Sequence, residues 1–199
     1  MTSRKIFNHD NLKESKIVSK LYDKSTTYNN SISACGCLLY KILNDELLLL
    51  LISYKDPSWP KLDDFGGRVD DSDKTVYDTI SRETSEETNG VITKSAIKKL
   101  MKHCIAKFYN KQAKYFSMLI EVNSDDFEDT LLFGDTEITD NIERTIKWHA
   151  YSNVKTKLAH RLLNNSMLIQ HLDELNNSDN SDNSDNSDNS DDSDDSDKN

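Results

Sequence analysis

Phe65-Gly66-Gly67-Arg68, followed after a polar stretch by Arg82-Glu83-Thr84-Ser85-Glu86-Glu87, is the segment from which fold and chemistry are read. A paired-glycine turn leads into a short helix carrying one arginine and three glutamates. Three of the five glycines, Gly66, Gly67 and Gly90, sit at its edges. On an α-helix Glu83, Glu86 and Glu87 occupy i, i+3 and i+4, so they share one face. Three carboxylates there repel one another unless a cation joins them. Hard oxygen donors at that density suit Mg²⁺ or Mn²⁺.

Outward from this segment the elements are mixed. Ser33–Ile42 and Leu47–Tyr54 are apolar runs joined by Leu43-Asn44-Asp45-Glu46, which reads as a hairpin. Trp59–Phe65 is a short extended piece entered through Pro57 and Pro60. Lys74–Asn89 is helical, with Val76 and Ile80 on the buried face, and Gly90 stops it. Ser95–Met101 reads as a short helix. His103–Tyr109 and Lys114–Val122 form a second hairpin, and Thr145–Tyr151 a further strand. Val154–Leu175 carries leucines at helical spacing and is expected to be one C-terminal helix. Strands, helix, strands, helix imply an α/β domain with a mixed sheet between helices.

At 199 residues the chain is long enough for one domain with a real core. Residues 1–31 read as a polar N-terminal arm and 32–175 as the globular domain. From 176 to 199 runs a Ser-Asp-Asn repeat without an apolar residue, which cannot offset its own ordering entropy and is expected to be disordered. That tail holds nine Asp and one Lys, so it carries −8 of the net charge of −10 and leaves −2 for the rest. The acidity therefore says little about the folded part. Cys35, Cys37 and Cys104 are an odd set with no secretory signal ahead of them, which argues for a reducing compartment. The longest greasy run, Leu47–Ile52, is too short to span a bilayer. The expectation is a soluble cytoplasmic protein with no membrane partner.

Gly67 to Gly90 resembles the Nudix box. That pattern is Gly, five residues, Glu, seven residues, then Arg-Glu-aliphatic-x-Glu-Glu-x-Gly-aliphatic. Here Gly67 is followed by five residues and Asp73. After eight more come Arg82-Glu83-Thr84-Ser85-Glu86-Glu87-Thr88-Asn89-Gly90-Val91. Asp replaces Glu at 73, the spacer before Arg82 is one residue longer, Thr84 stands in an aliphatic position, and Gly90 comes one residue late. All these departures lie on the frame of the motif and leave Arg82, Glu83, Glu86 and Glu87 in place.

The resemblance implies a Nudix-like mixed sheet sandwiched between α-helices and a pyrophosphohydrolase activity. It implies that Glu86 and Glu87 bind Mg²⁺ or Mn²⁺, with Glu83 as third ligand or water-orienting base. The Gly67 carbonyl (or that of Gly66) would complete the shell, and Arg82 would pair with a neighbouring carboxylate and fix its rotamer. The metal would neutralise a diphosphate and acidify a bound water. The implied substrate is a nucleoside-diphosphate-linked compound. The alternatives are removal of RNA caps and a non-catalytic Nudix-fold binding module. A general base outside the box has Glu121, Asp135, Glu137 and Glu143 as candidates, of which Glu143, ahead of a strand, is favoured.

Other residues carry weaker signals. Cys35 and Cys37 face one way on a strand and read as small buried hydrophobes. The five histidines are scattered. Tyr109, Tyr115, Phe116 and Trp148 read as core first and base-stacking surfaces second. Lys94, Lys98, Lys99, Lys102, Lys107, Lys111 and Lys114 fall in a stretch without acids, which reads as a solvated face or as a basic edge for phosphates.

Overall fold

A computed structural model describes residues 7–8 and 31–177. Most of the expected N-terminal arm and nearly all of the acidic tail lie outside the described residues. The strands are β1 (Phe7–Asn8), β2 (Ser31–Ile32), β3 (Ala34–Leu43), β4 (Glu46–Tyr54), β5 (Leu62–Asp63), β6 (Phe65–Arg68), β7 (Cys104–Asn110), β8 (Tyr115–Glu121), β9 (Thr136–Glu137) and β10 (Ile142–Ala150). The helices are α1 (Val76–Glu87), α2 (Lys94–Leu100), α3 (Tyr151–Val154), α4 (His160–Leu163) and α5 (Ser166–Asn177).

The hairpin between β3 and β4 forms where the apolar runs placed it, with Leu43 opposite Glu46. Its two turn residues, Asn44 (φ 50°) and Asp45 (φ 59°), are both left-handed. That is the turn whose twist matches the flanking strands, and Asn and Asp tolerate it best. Strands β7, β8, β3, β4, β10 and β9 lie side by side in that order, with β5 added to β4 and β6 to β3. Pairing of β3 with β8 is parallel, and the other pairings in this sheet are antiparallel.

Period-two alternation divides the sheet into two buried faces. Cys35, Cys37, Leu39, Leu50 and Ile52 point to one side, where they meet Val76 and Ile80 of α1 and Ile97 of α2. Leu38, Tyr40, Leu49 and Leu51 point to the other, against Tyr151, Leu162, Leu168 and Leu172 of α3, α4 and α5. The expected mixed sheet between helices is the observed one. Each of these fully buried leucines stabilises the domain by about 1.5–3 kcal/mol through its removal from water.

The C-terminal segment departs from expectation. It is not one helix but α3, a 3-10 turn (Lys155–Lys157), α4 and α5. Leu158 is extended and bridges Leu62, and the Ala159 amide donates to the Leu62 carbonyl at 2.7 Å. A strand-like contact thus interrupts a helical leucine pattern and turns α4 toward β5. Among the described residues no helix is long and apolar enough to cross a membrane.

Candidate active site

Helix α1 begins at a capping box. The Thr75 hydroxyl accepts from the Asp78 amide at 3.2 Å, and the Asp78 carboxylate accepts from the Thr75 amide at 3.1 Å. From there Val76, Ile80, Thr84 and Glu87 fall on the buried face. Burial of Glu87 follows from its position in that helical row, three residues beyond Thr84. Strand β6 lies across this face. It is anchored to β3 by pairs Cys35 with Gly67 and Gly36 with Gly66.

The two glycines are where they must be. A Cβ on Gly67 would stand 2.4 Å from the Glu83 carboxyl carbon. A Cβ on Gly66 would meet the Tyr115 hydroxyl at 2.2 Å. With no side chain in the way, the Gly66 amide donates to Glu87 Oε2 at 2.8 Å. Tyr54 donates to the other Glu87 oxygen at 3.3 Å.

Arg82 is the hub of the helix. It grips Asp73 with two nitrogens, Nε to Oδ1 at 3.2 Å and Nη2 to Oδ2 at 2.9 Å. Nη1 reaches Glu83 at 2.8 Å and Glu86 at 3.0 Å, and Nη2 also donates to the Arg68 carbonyl at 2.7 Å. This is the fork geometry that arginine supplies and lysine does not. Burial works against the Arg82 charge, but its carboxylate partners outweigh that and hold its pKa above the ordinary value.

Charges here are set by burial against pairing. Burial pushes Glu83 up to about 7 against the pull of Arg82. Burial pushes Glu87 well up, opposed by Arg161 and reinforced by the charge of Glu83. Burial acts the same way on Asp73, yet hydrogen bonds from Arg82, the Asp70 amide and Thr79 outweigh it and hold that carboxylate low.

The departures from the Nudix pattern acquire physical roles. The short Asp73 is brought to Arg82 by a tight turn in which the Asp70 amide donates to its Oδ2 at 2.9 Å. Thr84, buried, contacts Cys37 Sγ through its hydroxyl at 3.4 Å. Asn89 takes the left-handed conformation (φ 52°) one residue before Gly90 (φ 78°), so two residues share the cap.

By chemical type, though not by arrangement, the donors suit a hard divalent cation. All the side-chain groups are carboxylates, three of them (Asp73, Glu83, Glu86) bond a single arginine, Glu87 accepts from the Gly66 amide, and the Gly67 backbone lies directly against Glu83. Among the described residues no group of three His, Cys, Asp or Glu side chains is arranged to hold a metal ion. Arg82 draws Glu83 and Glu86 to itself, and the Gly66 amide and Tyr54 hold Glu87.

The four carboxylates considered outside the box fall in different places. Glu143 is on the surface, paired with Lys55 at 3.1 Å. Glu121 and Asp135 are exposed. Glu137 is buried, at 6 % exposure, and close enough that its charge raises the pKa of Glu87 while that of Glu86 raises its own. Burial pushes Glu137 up most, and Arg144 pulls it down.

Two arginines at this site had not been singled out in the sequence. Arg144, fully buried, donates to the carbonyls of Gly134, Phe133 and Glu87. Its signal is an inward position on β10, two before buried Ile146. Arg161 bonds Asp63 at 2.8 Å and Asp64 at 2.9 Å, with its guanidinium 4.6 Å from the Tyr115 ring centre. Tyr115 in turn donates to Asp64 Oδ2 at 2.9 Å. This second cluster lies behind Gly66. Its signal is a lone cation among Leu158, Leu162 and Leu163.

Cys35 and Cys37 are buried free thiols, both pushed up by burial. Tyr115 and Phe116 are buried, and Trp148 is held by the Phe127 carbonyl and by Lys41 over its ring at 4.6 Å. The lysine run does not form one edge. Lys107 is buried against Tyr77 and Lys98 pairs with Asp78.

No protein-family model matches the chain, and no curated protein sequence matches it. Solved structures similar to it include a Caenorhabditis elegans Ap4A hydrolase binary complex. The two are 19% identical with a TM-score of 0.44 over 72% of this chain and 93% of that one. The NUDIX domain of Shewanella oneidensis NrtR with ADP ribose is 16% identical, TM-score 0.42, over 77% and 92%. A bifunctional NMN adenylyltransferase/ADP ribose pyrophosphatase from Francisella tularensis is 17% identical, TM-score 0.42, over 74% and 43%. At these values the likeness assigns neither substrate nor activity.

Proposed function

We propose that the chain is a metal-dependent Nudix-type pyrophosphohydrolase acting on a diphosphate linkage in a nucleoside-diphosphate-linked compound. The observation that carries this reading is the excess of carboxylates around Arg82, closed over by the bare backbone of Gly66 and Gly67. An arginine matched to one or two acids makes a structural ion pair. One arginine faces Asp73, Glu83 and Glu86, and burial raises the proton affinity of Glu83 and Glu87, so a second cation would be needed to hold all these acids ionised.

Glu86, Glu87 and Glu83, with the Gly67 carbonyl, would hold Mg²⁺ or Mn²⁺, which supplies positive charge to the diphosphate oxygens and acidity to water. Arg82 and Asp73 fix the helix and its glutamates. Glu137 is assigned as the base outside the box. It takes the proton of the attacking water as the water oxygen bonds phosphorus and the bridging P–O bond breaks toward the leaving phosphate. Burial raises its proton affinity, which suits a base.

A turnover screen tests this with nucleoside triphosphates, ADP-ribose, dinucleoside polyphosphates, coenzyme A and capped RNA, each with Mg²⁺ and Mn²⁺. Glu86→Gln and Glu87→Gln are each expected to remove most activity on whichever compound is cleaved, and near-normal turnover in both would sink the assignment. The second reading, a non-catalytic binding module, is favoured by the bonds that already occupy Glu83, Glu86 and Glu87. Titration calorimetry with Mn²⁺ separates the two. No binding, or binding unaffected by Glu87→Gln, favours the module.

A further inference from the structure

Two residues outside the glutamate set stitch the end of α1 to the segment that carries Glu137. Asn89 Nδ2 donates to the Phe133 carbonyl at 2.9 Å and to the Thr136 carbonyl at 2.8 Å. Its Oδ1 accepts from the Ile138 amide at 2.9 Å. A side chain three atoms long thus uses donor and acceptor to bracket Glu137 in sequence. Arg144 works from the other side. Its guanidinium joins the Glu87 carbonyl to those of Phe133 and Gly134, and its own amide donates to the Asp135 carbonyl at 2.8 Å. Strand β9 adds the pairing of Glu137 with Ile142.

The cost of this arrangement argues that it is specific. Arg144 is fully buried and, among the described residues, its guanidinium bonds only carbonyl oxygens, with Nε left without a partner. Burying a guanidinium without a carboxylate bonded to it is expensive. The carboxylates of Glu137 and Glu87 stabilise it at longer range. The cation therefore feels both acids at a distance and bonds the Glu87 carbonyl together with those of Phe133 and Gly134. Asn89 holds a left-handed backbone to aim its amide, where glycine would be relaxed. Packing alone needs neither feature, since Phe133 already anchors the segment in the core at 1 % exposure.

We infer that Asn89 and Arg144 are positioning residues that lock Glu137 to the C-terminal end of the glutamate helix. The base and the carboxylates of α1 then move as one body, and their separation is set by three bonds from Asn89 and four from Arg144. This rests on the assignment of Glu137 as base for its catalytic consequence, while the clamp itself does not.

Asn89→Gly is the informative variant, because glycine accepts the same φ and only the side chain is lost. In the full-length protein, amide hydrogen exchange is expected to speed up at Ile138 and across 133–138, with the thermal midpoint moving by only a few degrees. Arg144→Lys, which keeps the charge but loses the fork, should loosen the same segment. Asn89→Asp retains the acceptor and should keep Ile138 protected. Unchanged exchange over 133–138 in Asn89→Gly overturns the clamp.

In turnover, Asn89→Gly should lower kcat about 10-fold and leave KM within about 2-fold. Combined with Glu137→Gln, which alone should cost about 100-fold or more, it should add nothing. Multiplied losses in the double variant mean that Asn89 acts elsewhere and overturn the inference. Full activity in Glu137→Gln removes the base assignment instead, and the exchange result still decides whether the clamp exists.

Discussion

Two arginine–carboxylate clusters flank the Gly66–Gly67 strand, one in front and one behind. In front, Arg82 faces Asp73, Glu83 and Glu86, with Glu87 beside them. Behind, Arg161 faces Asp63 and Asp64, capped by the Tyr115 ring and hydroxyl. The side-chain types are nearly the same. The difference lies in stoichiometry and access. The rear acids are 0–1 % exposed and their oxygens are taken up by one cation, one hydroxyl and a backbone amide. In front three acids face one cation, against two behind, and the Glu86 side chain is 30 % exposed. A sealed cluster, with two acids on one cation, holds two segments together. An open cluster, with three acids on one cation and one of them partly exposed, can accept a ligand.

Four measurements break or sharpen this contrast, the largest effect first. Arg161→Ala leaves two buried carboxylates without a cation and is expected to cost about 3–5 kcal/mol in denaturant unfolding. Stability close to that of the parent chain would mean that the rear cluster holds nothing. Gly67→Ala strikes the front. The added methyl would meet Glu83 at 2.4 Å, so the carboxylate must move. Turnover should fall about 100-fold, with a stability loss of only about 1–3 kcal/mol.

A pH series of unfolding free energy reads the rear cluster again. Burial pushes Asp63 up to about 7 even with Arg161 beside it. Its folded pKa is above its unfolded one, so the folded state holds the proton more tightly. The contribution is present below about pH 4 and is lost as pH rises to about 7. Asp63→Asn should flatten that part of the curve, and an unchanged slope would point to other groups. The smallest effect belongs to the surface. Lys55 and Glu143 are 50% and 65% exposed, so Glu143→Gln should change stability by less than about 0.5 kcal/mol and leave turnover alone. A large loss in Glu143→Gln would return the base assignment to that residue.

The hairpin from β3 to β4, the span of α1 and the two-faced sheet were legible because period and turn chemistry are local properties. Thr75, Val76, Ile80 and Gly90 are enough to start, bury and stop α1. The C-terminal segment was misread as one helix for the converse reason. Its leucines are helical in spacing, but Leu158 is claimed by Leu62 nearly a hundred positions earlier, and no local pattern encodes that pairing. The ranking of Glu143 against Glu137 also lies beyond local pattern. Both acids lie in strands, Glu137 in β9 and Glu143 in β10, and only burial and the proximity of Glu86 and Glu87 tell them apart.

By itself the sequence determined that Glu83, Glu86 and Glu87 share a helix behind a glycine pair, since 3.6-residue periodicity places them on one face whatever surrounds them. Only the tertiary structure decided that Arg82 spans Asp73 and two glutamates and that Asn89 and Arg144 bond the backbone of 133–138 to the helix end. It also decided that Asp63 and Asp64 face inward to Arg161. The Asn89, Arg144 and Arg161 contacts join segments far apart in the chain. Their energies depend on exclusion of water, which exists only once the sheet and helices have closed around them.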